Sequence, residues 1–249
     1  MHIGSELFEF LVTCNAVRSE SELQEVLGLA TRRMGFEQFA LNHHVDLVGP
    51  PEDAIVLLNY EPAWIDRAFS NGYHLDDPVH AASERASFGF YWRDLSDLVP
   101  LSKRHQLILD EAQGYGLCEG FTVPVHVPGE YRGTCSFGAR RIAITPNLTA
   151  CAQLVGLFAF ECARRLVHAR SSGSFQPIPK LTQRQRDCLP FVAAGKSDGV
   201  IAQLLGLAPS TVHQHVTDAM ERYGVATRMQ LVVRALFDSQ IVYNAAFRL

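Results

Sequence analysis

The sequence predicts two domains. The first is an α/β sandwich, an antiparallel sheet with helices on both faces; the second is an all-α four-helix domain of the helix-turn-helix kind. Three observations predict this. Over residues 1–170, apolar spacing switches between helical and strand periods in the order α-α-β-β-α-α-β-α-β-β-α, which suits an antiparallel sheet covered on both sides. Residues 171–180, SSGSFQPIPK, combine Ser and Gly with two prolines and read as a linker. Residues 181–249 then return to short helical segments divided by Gly-containing turns.

Leu7–Val17 and Ser21–Met34 are expected helices, the second capped by Ser21 with Leu23, Val26, Leu27 and Ala30 as its apolar stripe. Phe39–Val45 and Ala54–Asn59 are strands around a polar turn at Gly49-Pro50-Pro51. Pro62 suits the first turn of a helix that runs to Asn71-Gly72. Asp77-Pro78 opens another, ending near Ser87, and Phe90-Tyr91-Trp92 is a short strand. Ser102 caps a helix over Lys103–Gly114. Gly120–Val127 and Tyr131–Ala139 form a hairpin across Pro128-Gly129-Glu130. Thr145-Pro146 opens a long helix to Arg170 with a stripe at Leu154, Leu157/Phe158, Glu161/Cys162 and Arg165/Leu166.

After the linker, Thr182 caps a helix that stops at Gly195, and Ser197 caps a second with Ile201, Leu204 and Leu205 on its apolar side, ending at Gly206. Pro209-Ser210-Thr211 opens a third, ending near Gly224. Helix, tight Gly turn and a helix that starts with small polar residues is the helix-turn-helix layout, whose second helix enters the major groove. Val212, Val216, Ala219 and Met220 fall at core spacing. Thr211, His213, Gln214, His215, Thr217 and Asp218 fall elsewhere. Gln can pair bidentately with adenine, and Thr can touch a thymine methyl. Lys196 and Ser197, with Arg222 and Arg228, are candidates to hold phosphates and set register, and Ser210 is a further DNA-binding candidate. The plainer reading of the same face is a solvated polar surface. Met229–Phe237 makes a final amphipathic helix with Leu231, Val232, Ala235 and Leu236 on one side.

Charge divides at the same boundary. Residues 1–180 carry 15 Lys and Arg against 21 Asp and Glu, and residues 181–249 carry 7 against 5, within a net charge of −4. The basic excess lies where DNA would bind, and affinity should be salt-sensitive. The six cysteines are scattered without a C-x-x-C pair, which argues against zinc and for reduced thiols in a cytoplasmic protein. No signal peptide is expected at the start, and the most apolar run, Leu154–Phe160, is too short to span a bilayer.

Two resemblances follow from specific residues. Leu181-Thr182, Arg184, Cys188-Leu189, Ala194-Gly195-Lys196, Ile201-Ala202, Leu205-Gly206, Ser210-Thr211-Val212, His215 and Gly224-Val225 resemble the LuxR-type (GerE-like) DNA-binding domain. Gln185 and Val200 stand where that family usually has Glu; loss of the first charge implies a surviving fold of altered stability. The family uses the last helix for dimerisation. In the first domain, Tyr60-x3-Trp64-x12-Asp77-Pro78-x13-Trp92-x27-Gly120 is similar, gap for gap, to the acyl-homoserine-lactone-binding domain of LuxR-type quorum-sensing regulators.

That resemblance implies roles. Trp64 would donate its indole N–H to the lactone carbonyl, Asp77 would accept the ligand amide N–H, and Tyr60 would donate to the acyl carbonyl. Trp92 would pack near the ring, and Ser136 is a weaker candidate for a bond near the acyl amide. The chemistry agrees: a buried carboxylate needs its oxygens satisfied, and a ligand amide is a strong partner. The lactone ring itself only accepts, so the protein must supply N–H and O–H, as Trp and Tyr do. Read singly, Asp77 before Pro78 is an N-cap and the tryptophans are core fillers. Most relatives have Tyr at position 68, where this chain has Ala68. The missing ring leaves volume for an aryl, branched or long acyl group, lined by Phe88, Leu109 and His105; alternatively Tyr73 fills the gap.

The resemblance also implies no cofactor beyond the signal ligand, a homodimer that pairs through residues 145–170, a partly palindromic promoter site, and RNA polymerase as a further partner. A ligand-independent or orphan regulator of the same family is the alternative reading, and two other classes compete. A phosphorylation-gated receiver needs an early acidic pair, an Asp ending a central strand and a later Lys, and residues 1–60 lack that set. A lactone hydrolase needs a nucleophile and base, for which Cys118 or Cys135 with His126 are the only suggestion.

Overall fold

The computed structural model describes residues 3–46, 49–170 and 178–241, with side chains from Leu7 onward. The chain forms two compact units. Of the expected linker only Ile178–Lys180 is described, without helix or strand; the rest of that expectation, and residues 242–249, lie outside the described residues.

The first unit holds an antiparallel sheet of β1 (Gln38–His43), β2 (Val56–Leu58), β3 (Phe90–Tyr91), β4 (Glu119–Val125) and β5 (Gly133–Ala139), in the order β2-β1-β5-β4-β3. Both faces are covered, so β1, β4 and β5 are buried along nearly their whole length, polar residues included. Phe39, Leu41, Phe121, Val123, Cys135 and Phe137 point to one face. There they meet α1 (Ile3–Ala16), α2 (Glu20–Arg33) and α7 (Pro146–Arg170). The other face carries α3 (Pro62–Ser70), α4 (Pro78–Ser83), α5 (Leu95–Leu98) and α6 (Lys103–Gln113) over two smaller apolar clusters. Register aligns Ala40, Ser136 and Thr122 in one row on this second face.

Several expectations are corrected. The cap of α2 is Ser19, whose Oγ accepts from the Glu22 amide at 3.2 Å, and Ser21 lies inside the helix. Trp92 does not continue β3; it opens a 3-10 turn over Trp92–Asp94. α4 stops at Ser83, where the Glu84 and Arg85 amides close back onto His80 and Ala82. α5 and a 3-10 turn at Tyr73–Leu75 are too short to leave a periodic signal. Of the expected α7 stripe Cys162 is buried and Leu166 packs against the core, but Leu154, Leu157 and Phe158 point outward; Ala152, Val155, Ala159, Phe160, Ala163 and Val167 complete the core face. Small residues carry the buried side because the helix lies close against the sheet.

The second unit is α8 (Gln183–Ala193), α9 (Asp198–Leu205), α10 (Pro209–Tyr223) and α11 (Arg228–Phe237). Gln185 retains the helix start without a charge: Thr182 and Gln185 exchange backbone and side-chain bonds at 2.8 and 3.3 Å, a complete capping box. Gly206 closes α9 at φ 65°, a conformation that a side chain resists. Val212, Val216 and Ala219 are buried with Ile201 and Leu231, as periodicity required, and Met220 packs against them. Leu204 is exposed, contrary to expectation. Among the described residues no helix is long and apolar enough to cross a membrane.

Candidate functional site

The second face of the sheet encloses a cavity of about 120 Å³. Tyr60, Trp64, Ala68, Asp77, Trp92 and Ser136 all line it, so the six residues expected around a ligand come together. Each is placed by local structure. Pro62 starts α3 at its first turn, and the helix sets Trp64 and Ala68 one turn apart on one stripe. Asp77 caps α4, its Oδ1 accepting from the Val79 amide at 2.8 Å. Trp92 lies flat over Gly120 and Gly138, which face each other in β4 and β5; a Cβ on Gly120 would sit 2.4 Å from its ring. Gly120 belongs to the motif because the indole needs that bare patch.

Three polar groups remain open. The Trp64 indole N–H, the Tyr60 hydroxyl and the second oxygen of Asp77 have no hydrogen-bond partner among the described residues. Burial, and then the Asp77 charge, push the Tyr60 phenol well up, so it stays a donor. The cavity therefore presents two donors and one charged acceptor within an apolar wall of Leu58, Ile65, Ile108 and Leu117. That donor-acceptor set complements a neutral molecule with one amide N–H and two carbonyls.

Trp92 and Ser136 are engaged differently. Trp92 Nε1 donates to Thr122 Oγ1 at 2.9 Å, and Thr122 Oγ1 lies 2.8 Å from Ser136 Oγ. Thr122 Oγ1 accepts from the indole and can either donate to Ser136 Oγ or accept a second bond from it, so the Ser136 hydroxyl is tied into this chain at the cavity wall. Sequence reading missed Thr122; its signal was the β4 alternation that puts it on the Gly120 face. Asn42, His74 and His80 were also missed. Of the expected acyl-side residues, Leu109 lines the cavity. Phe88 is 74% exposed, and His105 instead completes the capping box of α6 with Ser102. Tyr73 does pack beside Ala68, its ring 6.1 Å from that of Trp64.

A larger groove of about 290 Å³ opens between α1, α2 and α7, but none of the motif residues reaches it. The hydrolase residues do not assemble. Cys135 faces the sheet core with its thiol pushed up by burial, Cys118 is exposed, and His126 Nε2 lies 3.0 Å from the Ser83 carbonyl. Among the described residues no group of three or more His, Cys, Asp or Glu could hold a metal.

A histidine cluster backs the cavity. His44 stacks on His80 with centroids 4.0 Å apart, and its pKa falls from 6.5 to about 2 through burial and then the neighbouring His80, His126, His43 and Arg132. The unfolded chain therefore binds the extra proton below 6.5 and the folded chain does not. Stability is full above that value and declines as pH falls. Lowering pH from about 7.5 to 5.5 should cost wild type about 1 kcal/mol more than His44→Gln in chemical denaturation. Parallel pH profiles would contradict it.

In the second unit, Ser210, His213 and Gln214 are exposed on α10, while Thr211, His215 and Thr217 are half-buried along its flanks. Gln214 Nε2 donates to Asp218 Oδ1 at 2.5 Å. Lys196 and Ser197 sit at the start of α9, where Ser197 Oγ caps the Val200 amide at 3.4 Å. Arg228 is engaged within the unit. It donates to Asp198 at 2.8 Å and to the Lys196 carbonyl at 3.3 Å, and Asp198 also meets His213 Nδ1 at 3.1 Å. Asp198 thus braces the starts of α9, α10 and α11. Arg222 is likewise held, by the Lys180 carbonyl at 2.8 Å.

Comparison with known proteins decides the family. The family described as "Autoinducer binding domain" matches residues 19–163, and "Bacterial regulatory proteins, luxR family" matches residues 179–235. The chain belongs to the LuxR-type regulators. Within this family it is similar to the transcriptional activator AhyR of Aeromonas hydrophila, 26% identical over 96% of this chain and 93% of that protein. It is also similar to the quorum-sensing regulator RhlR of Pseudomonas aeruginosa, 25% identical over 86% of this chain and 90% of that one. SdiA of Escherichia coli shares the fold at TM-score 0.65 and 21% identity, covering 96% of this chain and 98% of that chain. As in other LuxR-type regulators, an autoinducer-binding unit precedes a DNA-binding one.

Proposed function

We propose that this regulator binds an N-acyl-homoserine lactone in the Trp64–Asp77 cavity and, as a homodimer, a partly palindromic promoter site. The observation that carries the reading is the set of open groups: two donors and one carboxylate oxygen, matched to two carbonyls and an amide N–H. Residues 1–170 sense and dimerise, and residues 181–249 read DNA. Ser210, His213 and Gln214 present the exposed edge of α10 to bases, Lys196 and Ser197 meet phosphate, and Arg228 braces the unit. RNA polymerase is the partner that activation would require. Sensing without hydrolysis suits the scattered thiols. Ala68 gives the acyl group room beside Tyr73, which favours a bulky chain.

The test uses full-length protein and a duplex selected by it from random sequences. N-octanoyl- and N-cinnamoyl-homoserine lactone are added separately. A ligand that binds only the folded state stabilises it by about 2.7 kcal/mol at a hundredfold excess over Kd. The expected results are a raised melting temperature, tighter operator binding, and intact lactone by mass spectrometry after long incubation. Identical operator occupancy with and without either lactone would overturn the reading, and recovery of ring-opened product would replace it with hydrolysis.

A further inference from the structure

Asn42, His74 and His80 also line the cavity. Asn42 donates to the His43 carbonyl at 3.2 Å, and the His80 ring stacks on His44. His74 differs. Among the described residues neither of its buried ring nitrogens has a hydrogen-bond partner, and only 8% of its side chain is accessible. The Asp46 carboxylate stands off at 3.7 Å, beyond hydrogen-bond reach. The ring packs on Phe69, centroids 5.2 Å apart, at the C-terminal end of α3. Phe69 lies five residues past Trp64, roughly 7 Å further along the helix axis. His74 therefore lines the same cavity as Ile65, Ala68 and Phe69, the last two one helix turn or more past Trp64, with Nε2 on the Asp46 side.

A buried imidazole with neither nitrogen paired is rare, because each unmade bond costs the full desolvation of that atom. Aliphatic ligand atoms would leave that cost in place. An oxygen would remove it, since a neutral imidazole offers one donor and one acceptor and suits either a keto or a hydroxyl group. We propose that His74 determines specificity by hydrogen-bonding an oxygen carried on the acyl group, so the preferred signal is an oxo- or hydroxy-substituted acyl lactone, aliphatic or aryl. This rests on the lactone reading above.

Two matched pairs test it on the full-length protein by calorimetry. N-Octanoyl-homoserine lactone is compared with its 3-oxo form, and N-cinnamoyl-homoserine lactone with its 4-hydroxy form. Wild type should prefer the oxygenated member of one pair by about tenfold, and the pair concerned reports how far the oxygen sits from the amide. His74→Phe keeps a ring but no nitrogen; it should erase that preference while holding the plain lactone as well as wild type. His74→Asn should retain part of the preference. Ligand-free His74→Phe should melt at or above wild type, because the atoms removed were unpaired; unfolding would mean that they have a protein partner and would overturn the proposal. So would equal affinities within both pairs, or a preference that survives in His74→Phe. If those results appear while Trp64→Phe still weakens the plain lactones, only the His74 assignment falls. If no lactone binds wild type, the lactone reading falls with it.

Discussion

Asp77→Asn and Trp64→Phe should each weaken lactone binding by about ten- to a hundredfold, the worth of one lost hydrogen bond that involves a charge or leaves a buried group unpaired. The two substitutions separate chemistry from structure. Asparagine caps a helix as well as aspartate does, so its oxygen can still accept from the Val79 amide at the start of α4. With the oxygen so used, its NH2 turns toward the cavity, and a donor then faces the ligand amide donor. Asp77→Ala removes the cap as well and should also lower the stability of the ligand-free protein, by about 1 kcal/mol. Phenylalanine at position 64 keeps an aromatic ring among Tyr73 and Tyr115 but has no N–H. Calorimetric titration of each variant, with its unliganded melting curve as control, measures the effect. Affinities within twofold of wild type for both would remove the site. The fragment 178–249 contains neither residue and has its own buried cluster, so its helical circular dichroism should be unaffected by lactone.

The motif residues were legible because their spacing is local. Trp64 and Ala68 share a helical stripe, and Asp77 announces itself by preceding Pro78 at a helix start. Strand order, by contrast, depends on pairings distant in sequence, such as Ala40 with Ser136, that no single periodicity reveals. Thr122 and His74 were missed for that reason. Thr122 matters because it meets the Trp92 indole and, across β4 and β5, Ser136, and His74 because a 3-10 turn places it at the cavity wall. His105 shows the converse. Its position three after Ser102 was read as a cavity wall, whereas local capping chemistry claimed the ring. The second unit was more legible, since its described helices lie close to their neighbours in sequence and α8, α9 and α11 each start at a side-chain cap. Even there Asp198 was invisible, because its partners lie 15 and 30 residues away.

On the proposed homodimer paired through α7, Leu157→Glu combined with Phe158→Glu should yield a monomer and weaken binding to a full palindrome by about 10² to 10⁴, while binding to a single half-site is unchanged. The range is the gain that linkage of two binding heads supplies without any new contact. The argument rests on the two faces of α7. Its inner face is fully used against the sheet, through Ala152, Val155, Ala159 and Phe160. Its outer face still carries Leu154, Leu157 and Phe158, exposed by 37, 39 and 42%, at the i, i+3, i+4 spacing of one apolar helix stripe. The sequence shows that stripe plainly; what it conceals is that a different face, alanines with Val155, Phe160 and Val167, meets the core. Two carboxylates there would be solvated in a monomer and buried against apolar surface in a dimer, so the penalty falls on association alone. Sedimentation velocity and titration on full and half sites measure the two parts separately. A variant that remains dimeric would move the interface elsewhere, and the exposed Met229, Val233 and Phe237 of α11, again at helical spacing, would be the next surface to charge. A monomer that still held the full palindrome as tightly as wild type would instead show that each reading head binds alone, and the need for two would disappear.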